Sequence, residues 1–99
     1  MNGSKTTLSQ RELEELLTHI QGWSLEGGAL VRSVTFSDFP QAMAFVNKVA
    51  ELAERENHHP DIDIRYNRVK LGLISHDAGG ITGRDSKMAR LLDELAAGD

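Results

Sequence analysis

Apolar residues recur at helical spacing in three stretches of this chain and alternate with polar ones in four shorter stretches. Leu13, Leu16, Leu17 and Ile20 fall on one helical face, with Arg11, Glu12, Glu14 and Glu15 on the wet side. Ser9 followed by Glu12 three positions later has the form of a capping box, which predicts where this helix starts, and Gly22 ends it. A second stripe, Ala42, Phe45, Val46, Val49, Leu52 and Ala53, predicts the longest helix. Ser37 or Asp38 can cap it, and it ends near Asn57 because Pro60 disfavours helical geometry at His59. Met88, Leu91, Leu92 and Leu95 supply the apolar side of a third helix. It opens on a box-like Thr82-x-x-Asp85 and closes at Gly98.

The strands fall between these helices. Residues 23–26 and 29–36 flank Gly27-Gly28, a two-residue hairpin turn, since glycine tolerates the positive φ such turns require. Arg32 shares a face with Leu30, Val34 and Phe36, a polar interruption of an otherwise apolar row. Residues 61–66 and 69–76 read as a second hairpin. With Asn67-Arg68 as its turn, Tyr66 pairs with Val69, Ile64 with Leu71 and Ile62 with Leu73, and the apolar faces coincide. Continued past Pro60, that pairing sets His59 opposite His76. Ala78-Gly79-Gly80 reads as a flexible loop. The order is therefore α-β-β-α-β-β-α, an α+β fold of two layers: a four-stranded antiparallel sheet with helices on one face. Residues 1–7 are small and polar and read as a flexible N-terminus, and residues 8–97 as a single domain.

Composition narrows the function classes. A chain of 99 residues builds one core of modest size, so association with further copies would help burial. The formal net charge is -4 and the basic residues are scattered, with no run able to track a phosphate backbone, which argues against nucleic acid. The absence of cysteine excludes disulfides, thiolate metal sites and Cys nucleophiles. No window approaches the ~20 apolar residues of a membrane span, and no apolar stretch follows Met1 that could act as a signal peptide, so a cytoplasmic location is expected.

Three of the four histidines, His58, His59 and His76, lie around the second hairpin. Imidazole gives and takes protons near neutral pH, so such a cluster suits chemistry that needs an acid and a base in one site. Glu54 and Asp85 could orient the rings or hold them charged. An isolated histidine is more often a surface or structural residue, and His58-His59 before Pro60 could be only a polar turn. By ligand count, three His with Asp61, Asp63 or Asp77 could bind zinc. Adjacent residues of an extended chain point to opposite faces, however, which speaks against a metal shared by His58 and His59.

Glu54-x3-His58-His59-Pro60-x5-Tyr66-x9-His76-x8-Asp85 resembles the signature of the pterin-4a-carbinolamine dehydratases, seven placed residues over 32 positions. Gly22-Trp23, Phe36-Ser37-Asp38-Phe39, Tyr66-Asn67-Arg68-Val69 and Ala78-Gly79-Gly80 are similar to family features too, so the resemblance spans about residues 8–96. Gly83 departs from it, where a charged or polar residue is more usual. The resemblance implies a cofactor-free, metal-free hydro-lyase acting on a tetrahydropterin hydroxylated at C4a, the product of aromatic amino-acid hydroxylases such as phenylalanine hydroxylase. It makes His58 and His76 the acid-base pair and His59 mainly a pterin-binding residue, with Glu54, Pro60, Tyr66, Asp85 and Trp23 in supporting or binding roles. Tyr66 reads as core or site wall rather than as a proton donor, and Trp23 as packing or as a ring flanking a flat pterin. Asp85 reads as a helix N-terminal charge, while the resemblance implies a carboxylate behind His76, two roles that can coexist.

The resemblance also implies a homodimer or homotetramer. The 29–36 strand is a plausible sheet edge and the second helix a surface whose apolar residues exceed what one sheet covers. Two other roles accompany the family: a protein-binding module, since in animals it partners a homeodomain transcription factor, and a place in molybdenum-cofactor metabolism.

Overall fold

Each helix starts where a side chain satisfies N–H groups that the helix itself leaves unpaired. The computed structural model describes residues 6–97. In it Ser9 caps α1 (Gln10–His19): its hydroxyl accepts from the Glu12 N–H at 3.1 Å, and Glu12 returns a carboxylate oxygen to the Ser9 N–H at 2.8 Å. Of the two candidates for α2 (Phe39–Glu56), Asp38 is the cap, accepting from the Gln41 N–H at 3.0 Å, with Pro40 in the first turn where no N–H is missed. Asn57 ends α2 in the left-handed conformation, φ 53°. α3 runs Gly83–Ala97. Gly98, its expected terminator, lies outside the described residues, as do residues 1–5 of the expected flexible N-terminus. Thr7 is described, and it forms an antiparallel bridge to Thr82.

Four strands, β1 (Ser24–Glu26), β2 (Ala29–Thr35), β3 (Asp61–Arg65) and β4 (Arg68–Leu73), make one antiparallel sheet in the order β1-β2-β4-β3. The first hairpin turns at Gly27-Gly28, both at positive φ, with Glu26 opposite Ala29. The expectation that the 29–36 strand is an edge is corrected. β2 lies inside the sheet because β4 pairs along it from Thr35↔Arg68 to Leu30↔Leu73, which leaves β1 and β3 as the edges.

The second hairpin also differs from the sequence reading. Its turn is Tyr66-Asn67, with Arg65 opposite Arg68, Ile64 opposite Val69 and Ile62 opposite Leu71. The slip is two positions, which keeps every side chain on its expected face. Two contacts pin this register: the Phe36 N–H donates to the Asn67 carbonyl and the Asn67 side-chain amide donates to the Phe36 carbonyl, each at 2.8 Å. Tyr66 is accordingly a turn residue at φ 53° and 65 % exposed, not a strand partner of Val69. Paired residues stop at Asp61↔Gly72, so the ladder does not carry His59 to His76.

Helices cover one face of the sheet. Leu30, Val69, Leu71 and Leu73 are buried there with Leu16 and Ile20 at the end of α1, with Ala42, Phe45, Val49, Leu52 and Ala53 of α2, and with Met88, Ala89 and Leu92 of α3. The stripe of α2 is thus covered within one chain, contrary to the expected surplus: Phe45, Val49, Leu52 and Ala53 are all buried, and Val46 partly so. Arg32 faces the helices, as its place in the apolar row requires. It forms an ion pair with Asp93 of α3, and the buried Trp23 donates its indole N–H to the same oxygen at 2.8 Å. Among the described residues no helix is long and apolar enough to cross a membrane.

Candidate active site

The left-handed Asn57 turns the chain sharply at the end of α2. The N–H groups of Asn57 and His58 both return to the Ala53 carbonyl, and the two histidines that follow diverge. His58 Nε2 lies 2.6 Å from Asp85 Oδ1 in the first turn of α3. His59 Nε2 lies 2.5 Å from Oε2 of Glu54, in the last turn of α2. The two pairs differ in their surroundings. The His58 side chain is 13 % exposed and that of Asp85 fully buried, whereas the His59–Glu54 pair stands in solvent. Exposed pairs of this kind contribute little to stability, because water screens them.

Asp85 is fully buried, and hydrogen-bond donors supply what water would otherwise provide. Its Oδ2 accepts from the Ser75 hydroxyl at 2.8 Å and from the Thr82 main-chain N–H at 2.9 Å, while Oδ1 faces His58. A carboxylate that accepts from His58 requires the proton on Nε2, which leaves Nδ1 as the basic nitrogen of a neutral ring. The capping box Thr82-x-x-Asp85 therefore holds a carboxylate that orients a histidine, but that histidine is His58 and not His76, the ring the resemblance set before Asp85. No buried polar side-chain atom among the described residues lacks a partner.

His76 follows Ser75 directly and is exposed in the turn that succeeds β4. That turn is closed by the Ser75 N–H to the Gly80 carbonyl at 2.9 Å and by the Gly79 N–H to the Ser75 carbonyl at 3.0 Å, with Gly79 at φ 77°. Pro60 is half-buried just ahead of β3. A cavity of about 110 Å³ adjoins His58, lined also by Glu56, Arg84, Lys87 and Met88. Lys87 pairs with Glu56 at 3.0 Å and Arg84 with Asp77 at 2.6 Å. A wider cavity of about 500 Å³ lies on the helix-free face of the sheet, among Ser33, Asp63, Arg65, Asn67, Arg68 and Lys70, and holds no histidine.

Of the residues singled out in the sequence, His58 and Asp85 come together, as do His59 and Glu54. Trp23 is packed in the core against Asp93, and Tyr66 tops the second hairpin. Among the described residues no three His, Asp or Glu side chains gather as a metal would need. Sequence reasoning missed Ser75, and it read Thr82 only as a cap. The T-x-x-D spacing was the signal for Thr82; nothing in the sequence marks Ser75.

Residues 6–95 match the family model described as Pterin 4 alpha carbinolamine dehydratase. A relative from Thermomicrobium roseum that carries the provisional name pterin-4-alpha-carbinolamine dehydratase is 58 % identical over 90 residues, covering 91 % of this chain and 97 % of its own. Among solved structures, a transcriptional coactivator/pterin dehydratase from Brucella melitensis superposes with a TM-score of 0.87 at 38 % identity, covering 92 % of this chain and 99 % of its own. A pterin dehydratase-like protein identified as a RuBisCO assembly factor in the alpha-carboxysome reaches a TM-score of 0.61 at 24 % identity over 75 % of this chain and 86 % of its own, and shares the fold.

Proposed function

The chain belongs to the pterin-4-alpha-carbinolamine dehydratase family, and from that premise we propose that it removes water from a tetrahydropterin hydroxylated at C4a. The hydroxyl leaves C4a with an added proton as water, N5 loses its proton, and a C4a=N5 bond forms in the quinonoid dihydropterin. Hydroxide is a poor leaving group, so one group must donate a proton and another must accept one. Each such transfer typically contributes ~10²–10⁴-fold in rate.

The observation that carries this reading is the His58–Asp85 pair. A buried carboxylate fixed by Ser75 and Thr82 holds one ring nitrogen, leaving the other to exchange a proton. His76 serves as the second acid-base group on the adjoining turn, and His59, on the solvent side, binds the pterin. The chain acts as a homodimer or homotetramer in the cytoplasm, recycling the pterin that aromatic amino-acid hydroxylases such as phenylalanine hydroxylase release.

The deciding assay follows the decay of chemically generated 4a-hydroxytetrahydropterin with and without the protein. Faster decay with the protein is the expected result. Decay at the uncatalysed rate overturns the reading and leaves a protein-binding role in its place.

A further inference from the structure

Ser75 occupies a position that nothing in its sequence context announces. Its main chain closes the turn that bears His76: the Ser75 N–H donates to the Gly80 carbonyl, and the Ser75 carbonyl accepts from Ala78 and Gly79 at 3.0 Å each. Its side chain, buried at 2 % exposure, donates to Asp85. Directionality follows from the proton count. The Ser75 hydroxyl has one proton, which goes to Asp85 Oδ2, so its oxygen is the acceptor of the 2.9 Å contact with Thr82, whose hydroxyl donates. Thr82 Oγ1 in turn accepts from the Arg84 main-chain N–H at 3.2 Å. Donors thus point one way, from Arg84 through Thr82 and Ser75 into Asp85, and each polarises the next. The far oxygen of that carboxylate faces His58 Nε2.

We infer that Ser75 is a positioning residue that, through its hydroxyl, fixes the Asp85 carboxylate and so the Nε2–H tautomer of His58, while its main chain sets the turn presenting His76. The inference rests on the dehydratase reading for its kinetic consequence, but not for the tautomer. One small residue then ties both proposed acid-base groups to a single frame. Loosening it lets Asp85 rotate about its side-chain bonds, and His58 loses both its orientation and the preference for one tautomer. A misplacement of about 1 Å at such a site typically costs on the order of 10²-fold.

The test compares Ser75→Ala, Ser75→Thr and Thr82→Val with the unaltered protein by two readouts. Thr82→Val keeps the main-chain N–H on Asp85 and removes only the hydroxyl, so it probes the relay where Ser75→Ala fails to fold. The first readout is kcat and KM on the carbinolamine. Ser75→Ala is expected to lower kcat by about 10–100-fold with KM changed less than about 2-fold. Thr82→Val is expected to lower it less, and Ser75→Thr to restore it. The second is the ring ¹⁵N chemical shifts of His58, which need no turnover: the unaltered protein is expected to show the Nε2–H form alone, and Ser75→Ala or Thr82→Val a mixture. A folded Ser75→Ala or Thr82→Val protein that keeps the pure Nε2–H form overturns the inference. An unaltered protein without dehydratase activity rejects the proposed reaction, and the shifts still decide on Ser75.

Discussion

His58 meets Asp85 across 27 positions of sequence, and the contact is made by Nε2, so Nδ1 is the nitrogen that takes no protein partner among the described residues. The polarity of this contact, ring donating and carboxylate accepting, is what a substitution at Asp85 would disturb first.

Asp85→Asn keeps the shape of the side chain and replaces an acceptor-only group with one that also donates. The amide can present its N–H₂ to His58 and favour the opposite tautomer. A change of that kind behind a catalytic histidine lowers kcat by up to about 10⁴-fold in the best-studied acyl-transfer enzymes. A loss of at least 10²-fold is expected here. Steady-state kinetics on a folded Asp85→Asn protein, its fold checked by circular dichroism, measure it.

His58→Ala and His76→Ala should each cut kcat by about 10²–10⁴-fold, while His59→Ala should raise KM more than it lowers kcat. The divergence of His58 and His59 at Asn57, one to a buried carboxylate and one to an exposed one, underlies the different expectations. His19, at the end of α1, is the control and its replacement should leave both parameters unchanged. Near-normal turnover of the His58 or His76 variant would remove that residue from the acid-base pair.

The reaction should proceed without added metal, and incubation with a chelator should leave the rate as it was. His58 and His59 are turned to different carboxylates, and among the described residues no three His, Asp or Glu side chains gather as a metal would need. Loss of activity in chelator with recovery in zinc would replace the proposed proton chemistry with a metal-assisted one.

Asp93→Ala should destabilise the fold by about 1–3 kcal/mol, because the buried indole N–H of Trp23 and the Arg32 guanidinium lose their acceptor together. Asp93→Asn retains an acceptor oxygen and should cost less. Urea unfolding of the two variants against the unaltered protein separates these values.

In solution the protein should be larger than one chain. β1 and β3 expose their outer edges, and Ile62 on β3 and Phe39 at the start of α2 are apolar and exposed. Closed symmetry is the commonest way to satisfy such edges. Light scattering at micromolar concentration gives the mass, and a value near 10.9 kDa would reject the oligomer.

What the sequence made legible was whatever is decided locally. Ser9 with Glu12, Asp38 and Gly27-Gly28 act through the N–H groups and φ angles of their immediate neighbours, and each does in the structure what its type and spacing imply. α2 stops at Asn57, next to where Pro60 set its limit, but through a left-handed residue that the sequence reading did not single out. The apolar periods assigned faces correctly because face depends on parity alone. Parity is also why the second hairpin was misread by two positions: both registers bury the same residues, and the choice between them lies in the contact of Asn67 with Phe36, 31 positions away. The placement of β2 inside the sheet is a long-range pairing that edge composition does not reveal. At the site, the histidines and Asp85 stood out through their chemistry and their resemblance to a family pattern. Ser75 did not, because one serine after an apolar strand is commonplace, and its importance arises only when the chain returns ten residues later with Asp85.

The left-handed residue that ends α2 has a consequence for how this site could vary. His58 and His59 hang from Asn57 like two arms from one pivot, one reaching inward to α3 and the other back along α2. A single torsion at residue 57 therefore yokes the two rings, and turning it would withdraw both from their carboxylates in one movement. Glycine there would retain the angle and slacken the yoke; a β-branched residue would strain against it. Changes at this one exposed position would retune how the imidazoles sit relative to each other while His58, His59, Glu54 and Asp85 all stay the same.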